Sequence, residues 1–501
     1  MFGGTKGIAT FTVALTQSCR RNLKPGFIAS AICRNQSTVI ENSNDQQSVA
    51  DFYAGKSVFI TGGTGFLGKV FIEKLLYSCK DIDKVFILIR DKKGESTPKR
   101  LQQMLNNRIF DRVKKTNPNA FSKVIPIIGD ISEPNLGIKP EDEQKLIDAV
   151  SVVFHSAATV KFFEPLKVAM NINFEGTRRM INLSKRMKKL HNFVYISTAY
   201  SQTIYPVLEE RVYSAPAKVE DVYKFIEKYN FDVKKTNKFI ANRPNTYTFT
   251  KAMSENYAGT CPDIPVTIVR PSLVGATINE PYPGWLDNWF AMTAPAIDVA
   301  RGLNRHCLTQ PQTRCDVIPV DYVTNLSVIA GAKYNGGNGV PVYNSTSGGT
   351  NPITWSQVFD KFIAESRKHN ICISEPSVVY NKSKFIYELS TLLFQKTPAY
   401  ASDLMLRLKG DKPRHVDLLR RALMTRHSME YFLQDWTTKA DKARALYASL
   451  SKADQEEFPC DPADINWESY LTDYFEGVRT HLLPRQLEKE RAAYGLWNDK
   501  K

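Results

Sequence analysis

Between Ser57 and Ser78 the chain passes from an apolar, β-branched run, Ser57-Val-Phe-Ile60, through a glycine-rich turn into a segment whose residues Val70, Ile72 and Leu75/Leu76 recur with helical period. The turn reads Thr61, Gly62, Gly63, Thr64, Gly65, Phe66, Leu67, Gly68, with glycines spaced G-x-x-G-x-x-G. Gly62 permits the tight turn, Gly65 lets the backbone approach a pyrophosphate, and Gly68 lets helix and strand pack closely. The helix that follows presents unpaired N–H groups to the phosphate charge. A bare glycine triplet says little. This one is flanked by a strand and a helix in the right order, and it predicts a dinucleotide-binding βαβ unit.

Apolar runs at Lys84–Ile89, Val124–Ile128, Val152–His155, Phe193–Ser197 and Val266–Val269 continue the pattern, with helical segments such as Met180–Lys188 between them. That alternation predicts an α/β fold with a Rossmann-type, doubly wound parallel sheet. Beyond Ile371 the pattern turns helical, at Lys384–Gln395, Ala401–Leu408, Val416–Met424 and Tyr431–Leu450. The expected organisation is a basic extension at 1–50, a dinucleotide-binding Rossmann domain at 51–370, a connecting amphipathic segment at 371–400 and a smaller, mostly helical domain at 401–501. With 501 residues, 43% of them hydrophobic, the chain can bury cores of that size.

NAD-specific sites place an acidic residue at the end of the second strand, where it accepts hydrogen bonds from the ribose hydroxyls. Arg90 occupies that place here, with Lys92, Lys93 and Arg100 close in sequence. A guanidinium suits a 2′-phosphate, so NADPH is the expected cofactor. Further along, Tyr247 and Lys251 form a Tyr-x-x-x-Lys pair whose i, i+4 spacing sets both side chains on one helical face. The Lys ammonium there favours the Tyr phenolate and holds the nicotinamide ribose. A hydroxyl for the substrate carbonyl is expected at the end of the preceding strand, from Ser197 or Thr198.

These residues together resemble the extended short-chain dehydrogenase/reductases. The resemblance implies a catalytic set of Thr198, Tyr247 and Lys251, with Ser197 in a supporting place. It also implies that Asp130 lies near the adenine ring with Ile131 beside it, that Ala157, Ala158 and Thr159 line the cofactor, and that Pro271 and Leu273 flank the nicotinamide.

Motifs outside the cofactor core narrow the resemblance. Pro281-Tyr-Pro-Gly-Trp-Leu-Asp-Asn288, Asp316-Val-Ile-Pro-Val-Asp321, Thr397-Pro-Ala-Tyr400, Gly410-Asp-Lys-Pro-Arg414, Ile465-Asn-Trp-Glu-Ser-Tyr470 and Gly477-Val-Arg479 are similar to those of fatty acyl-CoA reductases, across residues 55–485. That resemblance implies NADPH-dependent reduction of a long-chain fatty acyl-CoA to a primary alcohol with release of coenzyme A, the developing oxyanion being met by Tyr247 and Thr198. The alternatives are a thioester reductase that stops at the aldehyde and a catalytically silent NADP-binding scaffold. Cys261 follows the catalytic helix, but it stands without a recognisable His partner and reads as structural.

The net charge of +16 favours anionic partners. No zinc-finger, helix-turn-helix or RNP-like signature accompanies it, so nucleic acid is not an expected partner. Eight scattered cysteines without a CxxC pair give no metal site and a reducing compartment. Residues 1–40 carry Lys6, Arg20, Arg21, Lys24 and Arg34 and no acid, which resembles an organelle transit peptide. The expected location is therefore intracellular and organellar, with peripheral placement on a peroxisomal or endoplasmic-reticulum membrane as the alternative. Phe385–Leu393 reads as an amphipathic helix for which core packing is the expected role and a monotopic membrane contact the alternative.

Overall fold

A computed structural model describes residues 47–91, 95–229, 231–240, 243–261, 263–337, 339–429 and 435–494. The transit-peptide reading of 1–40 and the placement of Lys92 and Lys93 lie outside the described residues.

Seven strands form one parallel sheet: β1 (Ser57–Thr61), β2 (Lys84–Ile89), β3 (Val124–Ile128), β4 (Val150–His155), β5 (Asn192–Ile196), β6 (Val266–Pro271) and β7 (Val342–Ser345). Apart from the edge strand β3 they are buried along nearly their whole length, as strands covered on both faces must be. Successive side chains alternate between two cores. Val58, Ile60, Val85, Ile87, Val152 and Phe154 enter one, and Phe59, Phe86, Leu88 and Val153 enter the other. The strand order is β7-β6-β5-β4-β1-β2-β3. Chain direction across the sheet therefore reverses between β1 and β4, and ligands of such sheets bind at the carboxyl ends of the strands beside that point.

Local differences from the sequence reading have physical reasons. Helix α1 (Phe66–Ser78) starts four residues before Val70, the first residue of its apolar periodicity, directly after Gly65 at its N-cap. Helix α2 (Gly176–Ser184) starts and stops earlier than Met180–Lys188, since it grows directly out of a π turn at Met170–Glu175. Strand β7 escaped notice because Val342-Tyr-Asn-Ser is largely polar; its Asn344 is buried and donates to Lys439 O at 2.7 Å.

The helix read over Tyr431–Leu450 is corrected. Tyr431 to Gln434 lie outside the described residues, Thr437–Thr438 is extended, and only Asp441–Ala448 is helical. Thr437 and Thr438 pair in parallel with Val207 and Leu208, and Thr438 Oγ1 reaches Asp316 at 3.2 Å. A β-branched pair with a waiting edge and a buried acceptor follows its tertiary partners over its local periodicity.

The chain continues through α3 (Thr246–Gly259), α4 (Thr293–Ala300), α5 (Val320–Ala332) and α6 (Trp355–Lys368) to α7 (Lys384–Thr391), α8 (Thr397–Leu408), α9 (His415–Met429), α10 (Trp467–His481) and α11 (Leu483–Tyr494). The core packing expected of Phe385–Leu393 is corrected: with Tyr387 and Thr391 turned to the protein, Phe385, Leu389 and Leu393 are left exposed. Helix α10 shares a core with the α/β part: Tyr470, Tyr474 and Phe475 pack with Val317 and Ile318. The Tyr470 hydroxyl donates to Ala276 O at 3.0 Å, and that of Tyr474 lies 2.9 Å from Thr293 Oγ1. Gly477 meets Gly284 backbone to backbone, so a Cβ on Gly477 would lie 1.7 Å from Gly284 O. Asp321, one of the motif acids, accepts the N–H groups of Ile278, Asn279 and Glu280 at 2.9–3.0 Å and fixes the loop that carries Gly284.

Candidate active site

The glycine turn sits at the carboxyl end of β1 and is held from β4. Thr61 Oγ1 lies 2.7 Å from His155 Nδ1 and accepts Ala157 N at 3.2 Å, while Ser156 Oγ donates to Thr61 O at 2.8 Å. On its other side His155 Nε2 lies 3.1 Å from Thr177 Oγ1. Burial, with Lys251 nearby, pushes the imidazole down to about 3, so it is neutral and bridges two threonines as a fixed strut. A Cβ on Gly62 would come within 2.8 Å of Ser156 Oγ and 3.0 Å of Ala157 N, and one on Gly68 within 2.2 Å of Gly62 O. No side chain caps α1. A cradle that excludes side chains at the amino end of a helix fits the pyrophosphate of a nicotinamide dinucleotide.

The residues read for the adenosine end come together at the ends of β2 and β3. Arg90 is 69% exposed and its Nη1 lies 3.7 Å from Asp130 Oδ2. Arg100 reaches back to donate to the Arg90 carbonyl, which puts two guanidinium groups at this strand end. Asp130 Oδ1 accepts Ser132 N at 2.9 Å, and the carbonyl of Ile131 is held by Arg179 at 2.8 Å. Ala157, Ala158 and Thr159 follow β4 and are partly exposed, which leaves them open to a ligand beside the glycine turn.

The Tyr-x-x-x-Lys pair lies in α3, whose N-cap Asn245 accepts Thr248 N at 2.9 Å. Tyr247 faces the Thr198 hydroxyl, which stands two residues beyond the end of β5. Burial pushes its phenol up to about 12, against the opposing pull of the Thr198 hydroxyl. Thr198 is itself placed by Pro271 O at 3.5 Å and by Tyr200 N at 3.3 Å, so Pro271 frames the hydroxyl pair, and Leu273 is buried behind it. Lys251 Nζ donates to Ile196 O at 2.7 Å and lies 4.2 Å from the centre of the Tyr195 ring. Burial draws its ammonium down to about 7, with Glu255 pulling the other way.

Two side chains absent from the sequence reading organise this set. Glu255 follows Lys251 by one further helical turn and is fully buried. It accepts Arg270 at 2.8 and 2.9 Å, Ser197 Oγ at 2.6 Å, Ser201 Oγ at 3.2 Å and Gln202 at 2.9 Å. Burial alone would raise its pKa, but Arg270 and these donors bring it below the usual carboxylate value. Asn173, in the π turn, accepts Thr159 N at 2.8 Å and donates to Thr159 O at 3.2 Å and to Thr250 Oγ1 at 2.9 Å, tying the segment after β4 to α3. The Tyr247-Lys251-Glu255 repeat and an Asn inside a helical run were the available signals. Among the described residues no cluster of His, Cys, Asp or Glu could hold a metal ion.

Comparison with known proteins agrees with this geometry. The family described as male sterility protein matches twice, its NAD-binding part over residues 60–327 and a second part over residues 394–485. Fatty acyl-CoA reductase 1 of Xenopus laevis is 35% identical over 462 residues, 89% of this chain and 88% of that protein. Fatty acyl-CoA reductase 2 of Mus musculus is 35% identical over 450 residues, 88% of this chain and 87% of that protein. The crystal structure of the terminal R domain from the myxalamid PKS-NRPS biosynthetic pathway superposes with a TM-score of 0.58, covering 86% of this chain and 92% of that one. At 18% identity that likeness establishes the fold. With a Rossmann-type sheet, a dinucleotide cradle and sustained identity across both halves, the chain belongs to the fatty acyl-CoA reductase family.

Proposed function

We propose that the protein reduces a long-chain fatty acyl-CoA to the primary alcohol with two molecules of NADPH, releasing coenzyme A. The observation that carries the reading is the pair of neighbouring hydroxyls, Tyr247 and Thr198, beyond the carboxyl end of β5, in a chain whose relatives are named fatty acyl-CoA reductases. The bound dinucleotide supplies the hydride. Tyr247 keeps its proton at neutral pH, because burial disfavours the phenolate. It is therefore a donor to an oxygen that gains charge as the carbonyl carbon is reduced, and the Thr198 hydroxyl beside it offers a second donor. After the first reduction the carbon–sulfur bond breaks and coenzyme A leaves as thiolate; the aldehyde is then reduced by a second hydride in the same oxyanion environment. Lys251, with a pKa drawn near 7, carries a charge that responds to what binds beside it.

Consumption of NADPH against acyl-CoAs of increasing length, with product identification, tests the reading. Accumulating alcohol supports it, aldehyde as the end product moves the assignment to the shorter reduction, and no consumption refutes it.

Cofactor choice rests on Arg90 and Arg100. Arg90→Asp is expected to lower the ratio of catalytic efficiencies, NADPH over NADH, by at least a factor of about ten, or about 1.4 kcal/mol, since a charge-assisted bond to the 2′-phosphate is lost and repulsion gained. Asp130, 3.7 Å from the Arg90 guanidinium, adds to that repulsion. An unchanged ratio would place the phosphate elsewhere.

A further inference from the structure

Arg243 stands four residues before Tyr247, ahead of the N-cap of α3, and only 6% of it is exposed. Its Nη2 donates to Gln202 Oε1 at 3.3 Å, a long bond for a charged donor. Its Nη1 is enclosed and makes no hydrogen bond among the described residues. Gln202 ends the turn Ala199–Gln202 that follows Thr198, so the guanidinium bridges the two segments that carry the Tyr247 and Thr198 hydroxyls. Two residues on, Asn245 Nδ2 is likewise buried and unbonded, and the approach to α3 thus holds two donors without acceptors.

A guanidinium keeps its charge even when enclosed, and a buried charge is costly unless an anion answers it. Burial draws the Arg243 pKa down, and the carboxylate that opposes this is Glu255, which also acts on Lys251 and pairs with Arg270. Glu255 is fully occupied. Arg270 holds both of its oxygens, Ser197 and Ser201 donate to one, and Gln202 donates to the other. Arg243 reaches it only through Gln202. Lys251, Arg270 and Arg243, all buried, therefore share one carboxylate, and the ground beside the hydroxyl pair is short of negative charge.

Two negative charges develop at the reacting carbon in the reaction proposed above, first on the carbonyl oxygen and then on sulfur. Tyr247 and Thr198 meet the first. As the tetrahedral adduct collapses, the electron pair on oxygen reforms the carbon–oxygen double bond, the carbon–sulfur bond breaks and its pair goes to sulfur. The products are an aldehyde and a thiolate, which takes a proton from water as it leaves. A cation in a dry site stabilises such a leaving group far better than one in water. We propose that Arg243 is a further catalytic residue, whose open Nη1 meets the departing thiolate, so that it serves the thioester step and not the aldehyde step. Thr198, itself only 6% exposed, is enclosed to the same degree, and a thioester that reaches it enters the ground that Arg243 shares. The inference rests on the reading of the protein as an acyl-CoA reductase.

The test compares Arg243→Gln and Arg243→Lys with the wild type, as full chains with NADPH, on decanoyl-CoA and on decanal. Arg243→Gln is expected to lower kcat on the acyl-CoA by about tenfold or more, because a charge-assisted contact to sulfur is lost. Its reduction of the aldehyde, which has no thiolate to release, should equal the wild type's and shows that the variant is folded and binds cofactor. Arg243→Lys keeps the charge and should lie between the two on the acyl-CoA. An arginine that merely held Gln202 in place would slow both substrates alike, so equal losses overturn the proposal. So does an unchanged rate on the acyl-CoA, or a Lys variant as slow as the Gln variant. If the wild type reduces no acyl-CoA, the proposed function itself fails and this inference falls with it; an active wild type with equal losses in the variant overturns the inference alone.

Discussion

Tyr247→Phe is expected to lower turnover on an acyl-CoA by on the order of 100-fold or more, with NADPH affinity nearly unchanged, because a positioned general acid contributes about that much. The substitution keeps the ring, which lies 5.8 Å from the Phe162 ring, and removes only the hydroxyl. Thr198 retains its bonds to Tyr200 N and Pro271 O, so the strand end stays in place. A loss confined to kcat, with cofactor binding followed by quenching of NADPH fluorescence, is the predicted signature. Near-normal turnover would remove Tyr247 from the chemistry. Lys251→Ala should differ by weakening both cofactor binding and turnover.

The second large effect is on stability. Glu255 and Arg270 form an ion pair at 2.8 Å with both side chains wholly inaccessible to solvent. Glu255→Leu leaves the Arg270 charge buried without its partner and strips acceptors from Ser197, Ser201 and Gln202. Breaking such a pair typically costs about 3–5 kcal/mol, which should show as a marked fall in thermal midpoint. Adding Arg270→Met removes the stranded charge and should recover much of the loss, since an apolar pair of similar volume often replaces a buried ion pair without penalty. The carboxylate has a lowered folded-state pKa, so its stabilisation is present at neutral pH and is lost as pH falls through the acid range below its ordinary value. A single variant as stable as the wild type at pH 7 would refute the pair's structural role.

The parts of the site legible in the sequence are those whose logic is local. Gly62, Gly65 and Gly68 act within one turn, and Tyr247 and Lys251 within one turn of helix, so spacing together with the strand-and-helix pattern around them singled them out. Asn173 and Glu255 escaped because their roles need partners from elsewhere: Thr250 for the first, and Arg270 on the neighbouring strand for the second. The strand at Thr437–Thr438 escaped for the same reason, its pairing edge lying at Val207–Leu208. In α7 and α8 the periodicity revealed an apolar stripe, yet periodicity is blind to which face turns inward. Only the buried Tyr387, Thr391, Gln395 and Asp403 decide that.

The backbone contact between Gly284 and Gly477 has a consequence for recombination among relatives. No side chain can be accommodated at Gly477, and Tyr470 and Tyr474 reach Ala276 and Thr293, so residues 276–293 and α10 meet at a range that a larger residue at Gly477 would force open. A hybrid that takes one from a different parent joins two surfaces never selected to touch at such close range. The unit of exchange is therefore the pair, and a graft meant to change substrate scope has to carry the loop and the helix together, although nearly two hundred residues of chain separate them.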